Sequence, residues 1–264
     1  MAKAPVTNPF ITAVSMFTIL PSPDVGIVSR ERAGRVIACL PWVGLLLGLI
    51  AGGVTWLIQQ ITTNTLLSAV CGLAILALCT GFMHLDGLAD TADGLGSRKP
   101  AEEALTIMKR SDIGPMGVSA MVLVLGLDAG ALAGANHTAW QQMGLVVIAP
   151  LVSRLIVLVA TRKGAETARP GGFGALVADL TSWSTIVTHT LIGLAATMCL
   201  AWLTGGFAVI YAVLIGVSTL AAWIVGFFWQ RHLIARFHGS TGDTFGSLIE
   251  ITQMTFLLSA ALCW

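Results

Sequence analysis

Apolar residues along this chain collect in seven stretches of about 20, at roughly 36–58, 65–83, 115–136, 142–161, 185–204, 206–229 and 245–264. That is the length an α-helix needs to cross a hydrocarbon core of about 30 Å. Residues 8–21 are apolar too, but this run is too short to span and is bounded by Pro9 and Pro21. It predicts an interfacial or re-entrant segment. It carries neither a basic leader nor a small-residue cleavage site, so a removable signal peptide is not expected. The pattern predicts an all-α fold, a polytopic transmembrane helical bundle of about seven spans plus the short N-terminal segment, and a single integral-membrane domain over residues 1–264.

Composition agrees with that reading: 56% of the 264 residues are hydrophobic, 10% are charged, and the mean hydropathy is +0.86. No soluble core has this balance. The basic residues sort by loop. Lys3, Arg30, Arg32 and Arg35 precede the first expected span; Arg98, Lys99, Lys109 and Arg110 lie between the second and third. Arg162, Lys163 and Arg169 follow the fourth, Arg231 and Arg236 follow the sixth, and the intervening loops carry none. The positive-inside rule then places the N-terminus and the charged loops on the cytoplasmic side of the membrane. The net charge of +1 hides this segregation, and the basic residues form no aromatic-interleaved patch, so nucleic acid is not an expected partner. The five cysteines are scattered through the spans without a metal-ligand spacing and read as packing residues.

The densest chemistry is at His84-Leu85-Asp86-Gly87-Leu88-Ala89-Asp90-Thr91-Ala92-Asp93-Gly94, directly after an apolar run. On a helix, Asp86, Asp90 and Asp93 share one face, and like charges about 6 Å apart repel by roughly 2–3 kcal/mol per pair at an effective dielectric of about 20. Carboxylates closing a helix also oppose its macrodipole. A hard cation, Mg²⁺, resolves both costs and commonly joins carboxylates to substrate phosphates. The competing reading is an ordinary solvated helix end.

Two further motifs carry charge beside spans. In Met108-Lys109-Arg110-Ser111-Asp112-Ile113-Gly114, the cations and the hydroxyl either hold phosphate oxygens or simply anchor the loop; Asp112 would orient Arg110 or ligate a metal. Gly239-Ser240-Thr241-Gly242-Asp243-Thr244-Phe245-Gly246 opens the last span, where Thr241 or Asp243 suits a helix cap and free backbone N–H groups suit phosphate. Glu250 lies on the same face as Asp243, inside the membrane, where an unpartnered carboxylate is costly. Asp128 and Arg154 are expected to pair between adjacent spans. The glycines of Arg169-Pro170-Gly171-Gly172 form either an anion nest around Arg169 or a plain turn. His84 is a candidate base or ligand. Gly44, Gly48 and Gly52, and likewise Gly126, Gly130 and Gly134, recur every four residues, and both stripes are expected to be packing surfaces.

Together the three motifs resemble the cobalamin synthases, the adenosylcobinamide-GDP ribazoletransferases, and the similarity extends to Phe17-Thr18-Ile19-Leu20-Pro21 and Pro41-Trp42-Val43-Gly44. The family usually carries Arg where Ile19 stands and often a basic residue where Asp112 stands. The resemblance implies a Mg²⁺-dependent membrane transferase that joins adenosylcobinamide-GDP to α-ribazole, or its 5′-phosphate, and releases GMP. It implies Asp86, Asp90, Asp243 and Asp93 as metal ligands, and Asp93 or His84 as the proton acceptor. Lys109, Arg110, Ser111, Asp112, Arg169, Thr241, Thr244 and Glu250 would bind substrate. The lipid bilayer is the other expected partner, and a homo-oligomer is possible in principle. The aspartates also have a weaker likeness to CDP-alcohol phosphotransferases, and the intramembrane charges would alternatively suit a cation-coupled transporter.

Overall fold

The computed structural model describes residues 6–134 and 137–263. Lys3 and the last residues of the expected third and seventh spans lie outside them. The described residues form twelve helices and no strand, only isolated bridges.

The N-terminal segment is helix α1 (Pro9–Phe17), started by Asn8, whose side chain accepts the N–H groups of Phe10 and Ile11. At nine residues it is too short to cross a bilayer. Helix α2 (Arg30–Ala38) is capped by Ser29 and is separate from α3 (Leu40–Ile61), because Pro41 in the first turn of α3 has no N–H to continue the ladder. The first span therefore starts at Leu40, a few residues later than the hydropathy pattern predicts.

The second span departs more sharply from expectation. Helix α4 (Thr65–Cys79) does not run on to residue 83. Gly81 and Phe82 take left-handed backbone angles, φ 58° and 62°, and the N–H of Phe82 turns back to the carbonyl of Ala77 at 2.9 Å. Helix α5 (Met83–Gly96) then leaves at 89° to α4. A bulky residue in this conformation is strained, so something must hold the corner. The segment after α1 does so, the N–H of Ile19 donating to the carbonyl of Cys79 at 2.8 Å.

Six helices are long and apolar enough to cross a membrane: α3, α7 (Pro115–Gly134), α8 (Ala139–Ala160), α10 (Trp183–Thr204), α11 (Val209–Phe237) and α12 (Gly242–Leu262). Counting the bent pair α4–α5 as one span gives seven. The chain is thus a multi-pass helical membrane protein. Two short helices, α6 (Ala101–Ile107) and α9 (Phe173–Val177), complete it.

Helix α8 is the axle, with 89% of its most apolar window buried against 22% for α10. A helix surrounded by protein is apolar all round and shows no amphipathic stripe. Helix α3 reaches it through its glycines: a Cβ at Gly44 or Gly48 would collide with the carbonyls of Pro150 and Val147, and one at Gly52 would come within 2.6 Å of Val147 Cγ2. The α7 stripe does not behave this way. Nothing lies within 4 Å of a Cβ built on Gly126, Gly130 or Gly134, so this face points outward, because α7 sits at the rim with only 33% of its window buried. The expectation that both stripes pack holds for α3 alone.

The two ends of the bundle differ. At one, α5 lies across the N-termini of α7 and α12. At the other, fully buried Gln142 on α8 donates to the carbonyls of Thr65 (2.9 Å) and Leu132 (3.1 Å) and accepts from Ser68 Oγ (2.7 Å) and from Gln59. This neutral network ties α3, α4, α7 and α8 together.

Candidate active site

Helix α5 carries the acidic motif as a helix of its own. Asp86 is in its first turn, where a carboxylate favours the macrodipole, so the expected dipole penalty at that position does not arise. The mutual repulsion of the carboxylates remains, and α12 adds to it. Gly87 and Gly246 let the two helices cross almost backbone on backbone: a Cβ at Gly87 would stand 2.7 Å from the Asp243 carbonyl oxygen, and one at Gly246 3.1 Å from that of His84. The crossing brings Asp243 beside Asp86 and Asp90.

Asp90 feels this assembly most. Burial, followed by the charges of Asp86, Asp243 and Asp93, pushes its carboxyl up to about 7, with Arg169 opposing them. Arg169 is the one cation in contact among the described residues, its Nη1 lying 3.6 Å from Asp243 Oδ2 while Nη2 donates to the Leu105 carbonyl at 2.6 Å. Its loop is stitched to the third motif: Ala168 N–H donates to the Ser240 carbonyl and Ser240 N–H to that of Glu166, each at 3.0 Å.

Asp93 turns the other way. Its two oxygens accept the N–H groups of Gly114 (2.7 Å) and Gly117 (2.9 Å), capping α7 from outside and fixing the second motif to the first. Lys109, Arg110, Ser111 and Asp112 form the exposed turn just before that cap. No ion pair joins Arg110 to Asp112 among the described residues, so the two cations stay available. Thr241 and Thr244 make a reciprocal capping box at the start of α12, and Thr241 Oγ1 also donates to Asp243 Oδ2 at 3.2 Å. Both threonines are buried and act by setting where α12 begins.

Below this layer Arg154 is buried and unpaired with Asp128. Its Nη2 faces His84 Nδ1 at 3.2 Å and its Nη1 donates to the Pro150 carbonyl at 3.1 Å, while Asp128 accepts from Gln253 at 3.3 Å. The geometry replaces the expected Asp128–Arg154 pair. Glu250 lines a small cavity with His84, Arg154 and Gln253, so it belongs to this deeper cluster and not to the acidic surface. A guanidinium only donates, so His84 Nδ1 accepts and the ring proton sits on Nε2.

A cavity of about 290 Å³ opens between His84, Asp86 and Asp243 on one side and Phe17, Phe173 and Phe245 on the other. The three rings meet edge to face, at 5.6 Å for Phe17–Phe173 and 6.4 Å for Phe173–Phe245. These phenylalanines escape sequence reasoning, although Phe17 and Phe245 sit inside two of the motifs, and Arg154 is legible only as an intramembrane charge expected beside Asp128. Among the described residues no three His, Cys, Asp or Glu side chains converge closely enough to hold a metal ion by themselves. Magnesium does not need that: it binds through one or two carboxylates and completes its shell with water and substrate phosphate. The all-oxygen donors and uncompensated charge around Asp90 fit it.

Comparison with known proteins agrees with the motifs. The family model for cobalamin-5-phosphate synthase matches residues 9–261. Three similar proteins are adenosylcobinamide-GDP ribazoletransferases. That of Frankia casuarinae is 37% identical, over 95% of this chain and 93% of its own. Those of Brevibacillus brevis and Pseudomonas fluorescens are 32% and 35% identical, over 97% and 96% of this chain and 99% of theirs in each case. No solved structure matches the chain.

Proposed function

The chain belongs to the cobalamin-5-phosphate synthase family, and from that premise we propose that it is an adenosylcobinamide-GDP ribazoletransferase of the bacterial cytoplasmic membrane. It joins adenosylcobinamide-GDP to α-ribazole or its 5′-phosphate. The ribose hydroxyl oxygen forms a bond to the cobinamide-side phosphorus, the bond from that phosphorus to the bridging oxygen breaks, and GMP departs with that oxygen. The observation that carries this reading is the meeting of Asp86, Asp90 and Asp243, from motifs more than 150 residues apart in sequence, beside an aromatic-walled cavity.

In this reading Asp86, Asp90 and Asp243 would hold Mg²⁺ together with water and substrate phosphate, one or two of them directly, and Asp93 lies at the edge of the set. When bound, the ion neutralises the diphosphate and stabilises charge on the departing GMP. Lys109, Arg110 and Ser111 lie on an exposed turn that Asp93 fixes at the rim, where they clamp phosphate oxygens; Asp112 shares that turn. Arg169 exchanges part of its hold on Asp243 for a phosphate oxygen. Asp93, fixed by two amides, accepts the hydroxyl proton. His84, protonated on Nε2, donates a hydrogen bond from the cavity wall. Thr241, Thr244 and Glu250 act from behind by setting α12. The phenylalanine wall takes the apolar face of the nucleoside base. The positive-inside bias supports a cytoplasmic position for this end of the bundle, on the side where nucleotide substrates are.

The test is to incubate purified protein in lipid nanodiscs with adenosylcobinamide-GDP, α-ribazole and Mg²⁺ and to follow GMP by chromatography. GMP is expected in step with the cobalamin product and to stop when the cation is chelated. The reading is overturned if no GMP forms, or if a CDP-alcohol is consumed to make phospholipid instead.

A further inference from the structure

A second cavity, of about 340 Å³, lies between α8 and α11 and shares no lining residue with the acidic one. Its walls are apolar, with Ile156, Phe227 and Ile234, and its polar groups are Arg162, Gln230 and Arg231. No carboxylate approaches either arginine within 4 Å among the described residues. Arg231 rides over the Phe227 ring at 5.9 Å, and Arg162 spends only one N–H on the Val159 carbonyl, at 3.3 Å. Gln230 is 95% buried by its 5% exposure; one of its amide atoms bonds Ser240 Oγ at 2.8 Å, and the other has no partner, whichever way the amide is turned.

The depth of the groove in the membrane follows from helix length. Helix α11 has 29 residues, about 43 Å, so its last two turns or so overshoot a hydrocarbon core of about 30 Å. Gln230 and Arg231 begin that overshoot, and Arg162 is the second residue beyond the end of α8. Both arginines therefore stand at the headgroup layer, while Ile156 and Phe227 continue the groove toward the acyl chains. The neighbouring α11 surface is lipid-facing, with Ile224 and Phe228 58% and 64% exposed.

We propose that this groove binds an anionic phospholipid of the inner leaflet, its phosphodiester between Arg162 and Arg231 and an acyl chain along Ile156 and Phe227. Two cations with no carboxylate demand an anion, and the apolar floor at that depth favours one that carries a chain over a soluble phosphate. Gln230 presents its unpaired amide atom behind the headgroup position, and its other amide atom links the groove to Ser240, immediately ahead of the α12 cap.

The experiment uses the full chain in mild detergent, titrated with phosphatidylglycerol or phosphatidylcholine and read by native mass spectrometry. Wild type is expected to prefer phosphatidylglycerol by about thirtyfold, the effect of two basic residues at a membrane surface. The double variant R162Q/R231Q should lose that preference, R162K/R231K should keep most of it, and millimolar inorganic phosphate should not displace the lipid. Equal binding of the two lipids by wild type overturns the proposal, and this arm stands even if R162Q/R231Q fails to fold. So does an unchanged preference in a monodisperse R162Q/R231Q. Displacement by inorganic phosphate also overturns it, since the groove would then be a soluble-anion site.

Discussion

The two ends of the bundle treat buried polar groups in opposite ways. At the end built on Gln142, every polar atom named has a neutral partner: Gln142, Ser68, Gln59 and the carbonyls of Thr65 and Leu132 close one network across four helices. At the other end Asp86, Asp90 and Asp243 are set against one another beside Asp93, whose oxygens are held by two amides, and among the described residues a single arginine is in contact. A satisfied network holds helices together and needs nothing more. An unsatisfied cluster of like charge is costly to the fold alone, and that cost marks where a ligand is expected. Polarity is common to both ends; the balance of donors, acceptors and charge separates them.

The largest effect should come from Asp90→Asn, which keeps shape and removes charge. GMP release is expected to fall by about 10²–10³-fold, while the cation-free protein melts a few degrees higher because repulsion is relieved. Activity within tenfold of wild type, or a lower melting point, would show that the cluster is not under electrostatic strain.

At the opposite end, Gln142→Leu should reverse the pattern. Loss of the network is expected to cost about 1–3 kcal/mol of stability, visible as earlier thermal unfolding, with turnover per folded molecule within about twofold of wild type. A large drop in turnover with unchanged stability would erase the distinction between the ends.

A smaller effect should appear as a pH dependence confined to the acidic end. Asp90 titrates near 7 in the folded protein against an ordinary carboxylate value of 3.8, so between these values the folded state holds a proton that the unfolded chain has released. Without divalent cation, stability should therefore fall as pH rises from about 4 through about 7. Melting curves at stepped pH would show it. In Asp90→Asn that part of the slope should vanish, and in Gln142→Leu it should persist.

Most of this architecture is legible in the sequence because bilayer thickness dictates span length and because charge is segregated by loop. The corner at Gly81–Phe82 is not, since a continuous apolar run reads as one helix; the hydrogen bond from Ile19 that pins the corner comes from 60 residues upstream. The same limit hides the roles of Asp93 and His84. Their spacing with Asp86 and Asp90 says they share a helix, but the amides of Gly114 and Gly117 and the guanidinium of Arg154 arrive from other helices. The two glycine stripes are identical in spacing and differ only in what stands opposite, which is a property of packing. The three acidic positions that α5 and α12 bring together were each visible as motifs; their union depends on the close crossing at Gly87 and Gly246.

The most direct measurement is Mn²⁺ binding, as a paramagnetic stand-in for Mg²⁺, titrated into the protein in nanodiscs. Wild type and Gln142→Leu should bind alike, and Asp86→Asn, Asp90→Asn and Asp243→Asn should each weaken binding by about tenfold or more. Equal binding by all five proteins would contradict the claim that the strained carboxylates at the α5–α12 crossing form the metal site.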